Sequence, residues 1–378
     1  MENRRDWLKK ALAASAAFPL GASLMTELMA APVSDAERRF MASGASGQIT
    51  IRLNANENPY GPSPKARAAI AGMLGEANRY PSNSVEELKK LLAEKEGVTS
   101  GHILVGAGSS DLLCAAGVAF GVEEGSILSA FPTFPMLMNY STVFNARWDK
   151  ADVNDKLETD YPLLASKVND NTRLVYVCNP NNPTGTFTDP SVVKGFCEEV
   201  SSRVPVFADE AYLEFLQPSW QVSMVDLVRR DMNVIVARTF SKIHGLAGLR
   251  IGYIVARPDI AKKISRYHPG IPCNQAGLAA ATASLGDTEF MASVRQKNAH
   301  ARKHLTDYLD AKKYFYGNPA GNFVMFKPES DAYQLMNALG KKGIGIRVWD
   351  YKDKQWCRVS IGTLEEMRTF THAMESLS

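Results

Sequence analysis

Lys242 lies in the run Thr-Phe-Ser-Lys (239–242), which continues through Ile-His-Gly-Leu-Ala-Gly-Leu to Arg250. An amine held in a Gly-rich turn after the apolar segment Asn233–Arg238 can condense with a carbonyl group to form an imine. The hydroxyls of Thr239 and Ser241 and the guanidinium of Arg250 are the donors that a phosphate group needs. A Ser-Lys pair alone is an ordinary helix start with a solvated lysine, so the reading rests on what accompanies it.

Two upstream segments supply that company. In Val-Phe-Ala-Asp-Glu-Ala-Tyr (206–212) a carboxylate, Asp209, ends an apolar strand, and a phenol, Tyr212, follows three residues later. Pyridoxal phosphate (PLP) works as an electron sink only while its ring nitrogen stays protonated beside a carboxylate. Its ring oxygen also needs hydrogen-bond partners, and Tyr212 and Asn182 are candidates. Asn182 sits in Asn-Pro-Asn-Asn-Pro-Thr-Gly (179–185), a segment dense in turn formers after the apolar run Thr172–Cys178. The Asn182–Pro183 bond is a candidate for the cis form. Each of the three loops follows a predicted strand, at the end where open α/β sheets bind ligands.

In this order the segments resemble the fold-type I PLP-dependent aminotransferases of class I/II, and within them the histidinol-phosphate aminotransferase-like subgroup. Further stretches carry the resemblance. They are Leu-Asn-Ala-Asn-Glu-Asn-Pro-Tyr-Gly (53–61), Arg-Tyr-Pro (79–81), Gly-Ala-Gly-Ser-Ser-Asp-Leu-Leu (106–113), Pro-Thr-Phe (132–134), Gly-Asn-Phe-Val-Met-Phe (321–326) and Arg-Val-Ser-Ile-Gly-Thr (358–363). The match runs from about Leu53 to Thr363 in one order.

The resemblance implies a role for each matched residue. Lys242 holds PLP as a Schiff base and shuttles a proton, Asp209 pairs with the ring nitrogen, and Asn182 and Tyr212 bond the ring oxygen. Phe134 stacks on the ring. The amides of Ser109 and Ser110, at a helix start, bind phosphate together with Ser241, Arg250 and Thr239. Tyr80 reaches the phosphate of the neighbouring subunit, which implies a homodimer with shared sites. Arg358 clamps the substrate α-carboxylate, Asn56 lines the mouth, and Arg347 lies near the distal end of the substrate. Two features depart from the family pattern: Ser-Asp at 110–111 in place of Asp-Glu, and the stretch 347–356.

Bland alternatives stand beside several of these roles. Asp209 could be a strand-end cap, Phe134 and Tyr212 packing residues, and Tyr80 a surface aromatic. Arg358 in an apolar strand calls for a partner, and a structural ion pair would serve as well as a substrate. His300 and His304 stand four residues apart without an acidic or Cys companion, so no metal site is expected. Ser191 and Lys194 match S-x-x-K, the signature of a serine acyl hydrolase, but its accompanying motifs are missing and a helix cap explains them more simply.

These residues need a scaffold. Short apolar runs alternate with helical patterns, which predicts a large doubly wound, mostly parallel seven-stranded α/β domain. The expected strands are His102–Gly106, Ser126–Ala130, Thr142–Trp148, Thr172–Cys178, Val204–Ala208, Asn233–Arg238 and Arg250–Ala256, the last antiparallel as in the family. Helices are expected at Ser84–Glu96 and Pro190–Ser202. The long helical stretch Thr288–Leu309 leads into a smaller α+β domain with strands near Asn322–Lys327, Ile344–Val348 and Cys357–Ile361. The division reads as a signal peptide (1–31), an N-terminal arm (32–75), the large PLP-binding domain (76–280) and the small domain (281–378).

The first residues pair Arg4 and Arg5 with Trp7-Leu8-Lys9 ahead of a mildly apolar stretch, Ala11–Leu28. This is the pattern of a twin-arginine export signal, and it predicts a periplasmic protein exported folded by the twin-arginine machinery. Without that signal the chain would be cytoplasmic. The 5 Cys are an odd number without C-x-x-C and read as buried thiols. A net charge of +3 suggests no nucleic-acid surface. The expected activity is transamination between an amino donor and a 2-oxo acid, the donor being a periplasmic amino-containing metabolite or, failing that, an aromatic or broad range of amino acids. The rivals are a phospho-amino-acid decarboxylase on the same scaffold and a non-catalytic PLP-fold binding protein.

Overall fold

The computed structural model describes residues 49–377 apart from Pro218 and Ile271. The segment read as an export signal and the first part of the N-terminal arm (32–48) therefore lie outside the described residues. The chain carries twelve described strands: β1 (Ile51–Arg52), β2 (Ile103–Gly106), β3 (Ser126–Phe131), β4 (Arg147–Asp152), β5 (Thr172–Cys178), β6 (Val206–Asp209), β7 (Val234–Thr239), β8 (Gly252–Val255), β9 (Phe323–Phe326), β10 (Ile344–Gly345), β11 (Arg347–Tyr351) and β12 (Lys354–Ser360).

Seven of them form the main sheet in the order β2-β8-β7-β6-β5-β3-β4. The pairs β3–β4, β3–β5, β5–β6 and β6–β7 are parallel, and β8 runs antiparallel to both neighbours. Strands covered on both faces read as continuous apolar runs rather than alternations, and β6 and β7 are buried at every position. Alternation divides their side chains. Val206, Ala208, Val234 and Val236 join one core cluster with Leu88, Leu92 and Phe196. Phe207, Ile235 and Ala237 join another with Leu112, Ala116 and Leu137.

The direction of β8 has a chemical consequence. Because it opposes β2 and β7, its beginning lies at the sheet edge where they end. The residues just before β8 therefore share one rim with the loops after β2, β3, β5, β6 and β7. Arg250, with a left-handed backbone (φ 57°), stands at that point.

Two expected strands are corrected. The run Thr142–Trp148 is not a strand: Thr142 and Val143 close the helix Met136–Val143, Asn145 turns the chain with φ 74°, and β4 starts at Arg147. This edge strand, Arg-Trp-Asp-Lys-Ala-Asp, is mostly polar and half-exposed, so a search for apolar runs passes over it. The expected strand Ile344–Val348 is two. β10 pairs in parallel with β1, whereas β11 joins the antiparallel sheet β11-β12-β9. The other strands lie within one to three residues of expectation, and the helices Ser82–Glu96, Pro190–Ser201 and Thr288–Ala311 match closely. The Asn182–Pro183 bond is cis, as are Phe131–Pro132 and Asn179–Pro180.

Candidate active site

The rim encloses a cavity of about 350 Å³. Thirteen of the fourteen residues singled out from the sequence line it: Asn56, Ser109, Ser110, Phe134, Asn182, Asp209, Tyr212, Thr239, Ser241, Lys242, Arg250, Arg347 and Arg358. Tyr80 does not, and stands 88% exposed in the turn before the helix Ser82–Glu96.

One end of the cavity is built for an anion. The helix Ser109–Gly121 begins there, and the N–H groups of a first helical turn have no partner within the helix. Gly108 precedes it with φ 84°, and a Cβ at this position would lie 2.3 Å from Arg250 Nη2. The guanidinium of Arg250 is held by donating to Ala107 O (3.1 Å) and Ala247 O (2.9 Å), and it reaches Ser241 Oγ at 3.5 Å. The Ser241 amide donates to Thr239 Oγ1 at 3.1 Å, which fixes the turn before Lys242. Asp111, part of the departure at 110–111, accepts from the Ala107 amide (3.0 Å) and lies 2.8 Å from His268 Nε2. Burial alone would raise its carboxyl pKa. His268, the Ala107 amide and the Arg250 charge outweigh that and bring it below the usual range.

Asp209 supplies the cavity with a buried acid. It is 3% exposed, at the last position of β6. Tyr176 donates its hydroxyl proton to Oδ2 at 2.8 Å, and the Ala211 amide donates to Oδ1 at 3.1 Å. Burial still raises the Asp209 pKa; the two hydrogen bonds and the Lys242 charge offset it only in part. A buried carboxylate of this kind calls for a cationic partner.

Lys242 Nζ donates to Ala55 O at 3.3 Å and lies 5.5 Å from the centre of the Tyr212 ring. Its pKa is lowered to about 8, first by burial and then by the charges of Arg358 and Arg250, against the opposing Glu57 and Asp209. Tyr212 Oη accepts from Asn56 Nδ2 at 3.1 Å, and burial raises the phenol well above its usual range, so it stays protonated. Asn56 is itself fixed, with its amide donating to Ser360 Oγ (2.7 Å) and its Oδ1 accepting from that hydroxyl (2.8 Å).

Arg358 donates to Asn182 Oδ1 (2.8 Å) and Asn54 O (2.7 Å). The first bond commits the Asn182 oxygen and leaves Nδ2 as its donor. Arg347 stands directly opposite Arg358 across β11 and β12, so both project from one face of the sheet. Like charges placed so are unfavourable, and a shared anion offsets them.

Several positioning residues were not legible beforehand. Tyr176 sits inside the apolar run Thr172–Cys178, where nothing local marks it as a donor. Thr133 and Asn181 tie the Phe134 turn to the Asn182 turn, Thr133 Oγ1 donating to Asn181 Oδ1 (2.7 Å) and Asn181 Nδ2 to Pro132 O (3.0 Å). Ala55, Glu57, Cys178, Ala211 and Ala247 also line the cavity. The S-x-x-K match has ordinary work: Ser191 bonds the Asp189 cap and Lys194 pairs with Asp226 at 2.6 Å. His304 Nε2 meets Thr371 Oγ1 at 3.2 Å, and no group of metal-binding side chains occurs among the described residues.

A family model described as aminotransferase class I and II matches residues 48–374. A histidinol-phosphate aminotransferase of Pasteurella multocida is 36% identical over 332 residues, 86% of this chain and 90% of the relative. One of Ralstonia nicotianae is 36% identical over 349 residues, 91% and 92% of the two chains. The crystal structure of a histidinol-phosphate aminotransferase from Sinorhizobium meliloti, in complex with pyridoxal-5'-phosphate, is 27% identical. It superimposes with a TM-score of 0.81 over 96% of this chain and 100% of that one.

Proposed function

The chain belongs to the aminotransferase class I and II family, and from that premise we propose how its residues divide the work and on which molecules. The protein is a PLP-dependent aminotransferase. The donor set fits the cofactor: one cavity is lined by an anion cup of helix amides and Arg250, a buried acid and a primary amine. PLP supplies the protonated ring that accepts the electron pair from the donor Cα.

Asp209 holds the proton on the ring nitrogen. Tyr212 and the amino group of Asn182 address the ring oxygen, and Phe134 covers a ring face. Ser109, Ser110, Thr239, Ser241 and Arg250 bind the phosphate, and the Tyr80 hydroxyl reaches that of a second copy in a homodimer. Lys242 anchors the cofactor. In PLP-free protein burial and neighbouring cations lower its amine pKa to about 8, which leaves part of it unprotonated near neutral pH, the form that can take the Cα proton and return it. Arg358 clamps the α-carboxylate, Asn56 lines the entrance and Arg347 faces the distal end of the substrate.

The single observation that carries this reading is the placing of Lys242 and Asp209 in one cavity with the anion cup. Purified protein given PLP should absorb in the visible range, and Lys242→Ala should abolish that band. Incubation with amino donors and 2-oxoglutarate should yield glutamate and an oxo acid; carbon dioxide without an oxo acid would instead mark a decarboxylase.

The twin arginines ahead of an apolar, Ala-rich stretch support a periplasmic enzyme. Arg347, directly across from Arg358, supports an anionic group on the donor. The export signal favours a periplasmic amino metabolite over histidinol phosphate, whose chemistry belongs to cytoplasmic biosynthesis. Fractionation of cells expressing the full chain, with and without Arg4→Lys and Arg5→Lys, tests the compartment. Strict preference for histidinol phosphate in a donor screen would overturn the substrate reading.

A further inference from the structure

Behind the cavity, on the other face of the main sheet, lies a buried set of charges that the chemistry above does not use. Alternation explains its position. Asp209 ends β6 facing the cavity, so the next residue, Glu210, turns to the opposite face, as does Arg238 on β7. Both are 4% exposed. Arg238 Nε donates to Glu210 Oε2 (2.7 Å), and Ser223 Oγ bridges the two, donating to Oε2 (2.9 Å) and accepting from Arg238 Nη2 (2.9 Å).

A second carboxylate, Glu214, lies two residues after Tyr212. Its Oε1 is 3.5 Å from His244 Nε2, 3.6 Å from Lys95 Nζ and 3.9 Å from Arg238 Nη1. His244 is two residues after Lys242, is 2% exposed, and its Nδ1 finds no hydrogen-bond partner. Each loop that supplies a reacting group thus also supplies a polar side chain to this cluster: Glu210 beside Asp209, Glu214 beside Tyr212, and His244 beside Lys242. Burial would raise the Glu214 pKa, but His244, Lys95 and Arg238 hold it far below the usual range, so the carboxylate stays charged as the common anchor.

A structural core could be tied together by apolar contacts at less cost, since buried ion pairs contribute little net stability. What they do supply is a fixed distance between the groups they join. We propose that Glu214 and His244 are positioning residues, linking the Lys242 loop to the Asp209–Tyr212 loop so that the amine, the acid and the phenol keep one relative geometry. Glu210 and Arg238 anchor the link to the sheet.

The proposal rests on Lys242 and Asp209 being the working groups, and its test separates the two. Glu214→Gln, His244→Ala, His244→Gln and the double variant Glu214→Gln/His244→Ala are prepared without PLP and then loaded. In PLP-free protein the pH dependence of Lys242 labelling by acetic anhydride, read by mass spectrometry, reports the amine directly. Glu214→Gln and His244→Ala should melt within about 5 °C of wild type. Their Lys242 labelling midpoint should shift by at least about 0.5 unit. After loading, kcat should fall at least about 10-fold with KM of the amino donor within about 2-fold. Because both residues act through one link, the double variant should be no more than about 2-fold worse than the worse single.

Unchanged labelling midpoints and kcat, or losses that multiply, would overturn the proposal. His244→Gln restores an N–H donor toward Glu214 and should keep both readouts close to wild type; if His244→Ala does not fold, Glu214→Gln decides by the same criteria. Failure of every variant to fold also overturns it, because the cluster is then core and nothing more. Wild type that takes up no PLP refutes the cofactor reading instead, and the labelling profiles still decide the link.

Discussion

Tyr176→Phe tests the acid end of the site most sharply. The substitution removes one oxygen and keeps the ring, whose packing on Phe207 (6.0 Å between centroids) is retained. It deletes the 2.8 Å hydrogen bond to Asp209 Oδ2 and leaves the Ala211 amide as the remaining donor to that carboxylate among those described. A hydrogen bond to a charged group contributes about 1.5–3 kcal/mol. That bond lowers the Asp209 pKa, so losing it raises the pKa and weakens the hold of the anion on a protonated ring nitrogen. At RT of about 0.59 kcal/mol the loss corresponds to a fall in kcat/KM of roughly 10- to 150-fold near neutral pH. The sign on the pH profile follows. Asp209 acts as the anion, so activity is lost as pH falls through its pKa, and the acid limb of the variant should move to higher pH. The assay is coupled steady-state transamination across the acid and neutral range, with thermal melting as a control for folding. A fall of less than about 3-fold, with an unmoved acid limb and an intact fold, would refute the assignment of Tyr176 as the residue that keeps Asp209 ionised.

Four more expectations follow from the geometry. The rate at which PLP-free protein takes up PLP should rise with pH to a midpoint near the Lys242 pKa of about 8. Arg358→Gln, by removing the largest charge that lowers that pKa, should shift the midpoint upward in stopped-flow absorbance. Gly108→Ala should weaken PLP binding at least about 10-fold in fluorescence titration, because the added methyl displaces Arg250 and a φ of 84° disfavours a side chain. Arg347→Gln should raise KM at least about 10-fold for donors with a distal anion and leave donors without one nearly unchanged.

The amino-acid order alone determined the chemistry and most of the scaffold. Lys242, Asp209, Asn182 and Tyr212 could be picked out because each stands at or just after the end of a buried strand whose apolar run is visible in the chain, and Arg250 because it opens the next such run. A local signal also marks the turns between them, since Pro, Gly and Asn restrict the backbone wherever they stand. The edge strand Arg147–Asp152 escaped because a strand covered on one side does not need an apolar run. The separation of β10 from β11 escaped because it depends on β1, almost three hundred residues earlier in the chain, pairing with Ile344–Gly345. Only the tertiary structure decided that the buried Tyr176 donates to Asp209, that Arg358 turns the amide of Asn182, and that His244 and Glu214 meet beneath the Lys242 loop. Each of these is a long-range contact between side chains that look unremarkable in their own neighbourhoods. A buried polar atom must find a partner, but which partner is set by how strands far apart in sequence are laid side by side.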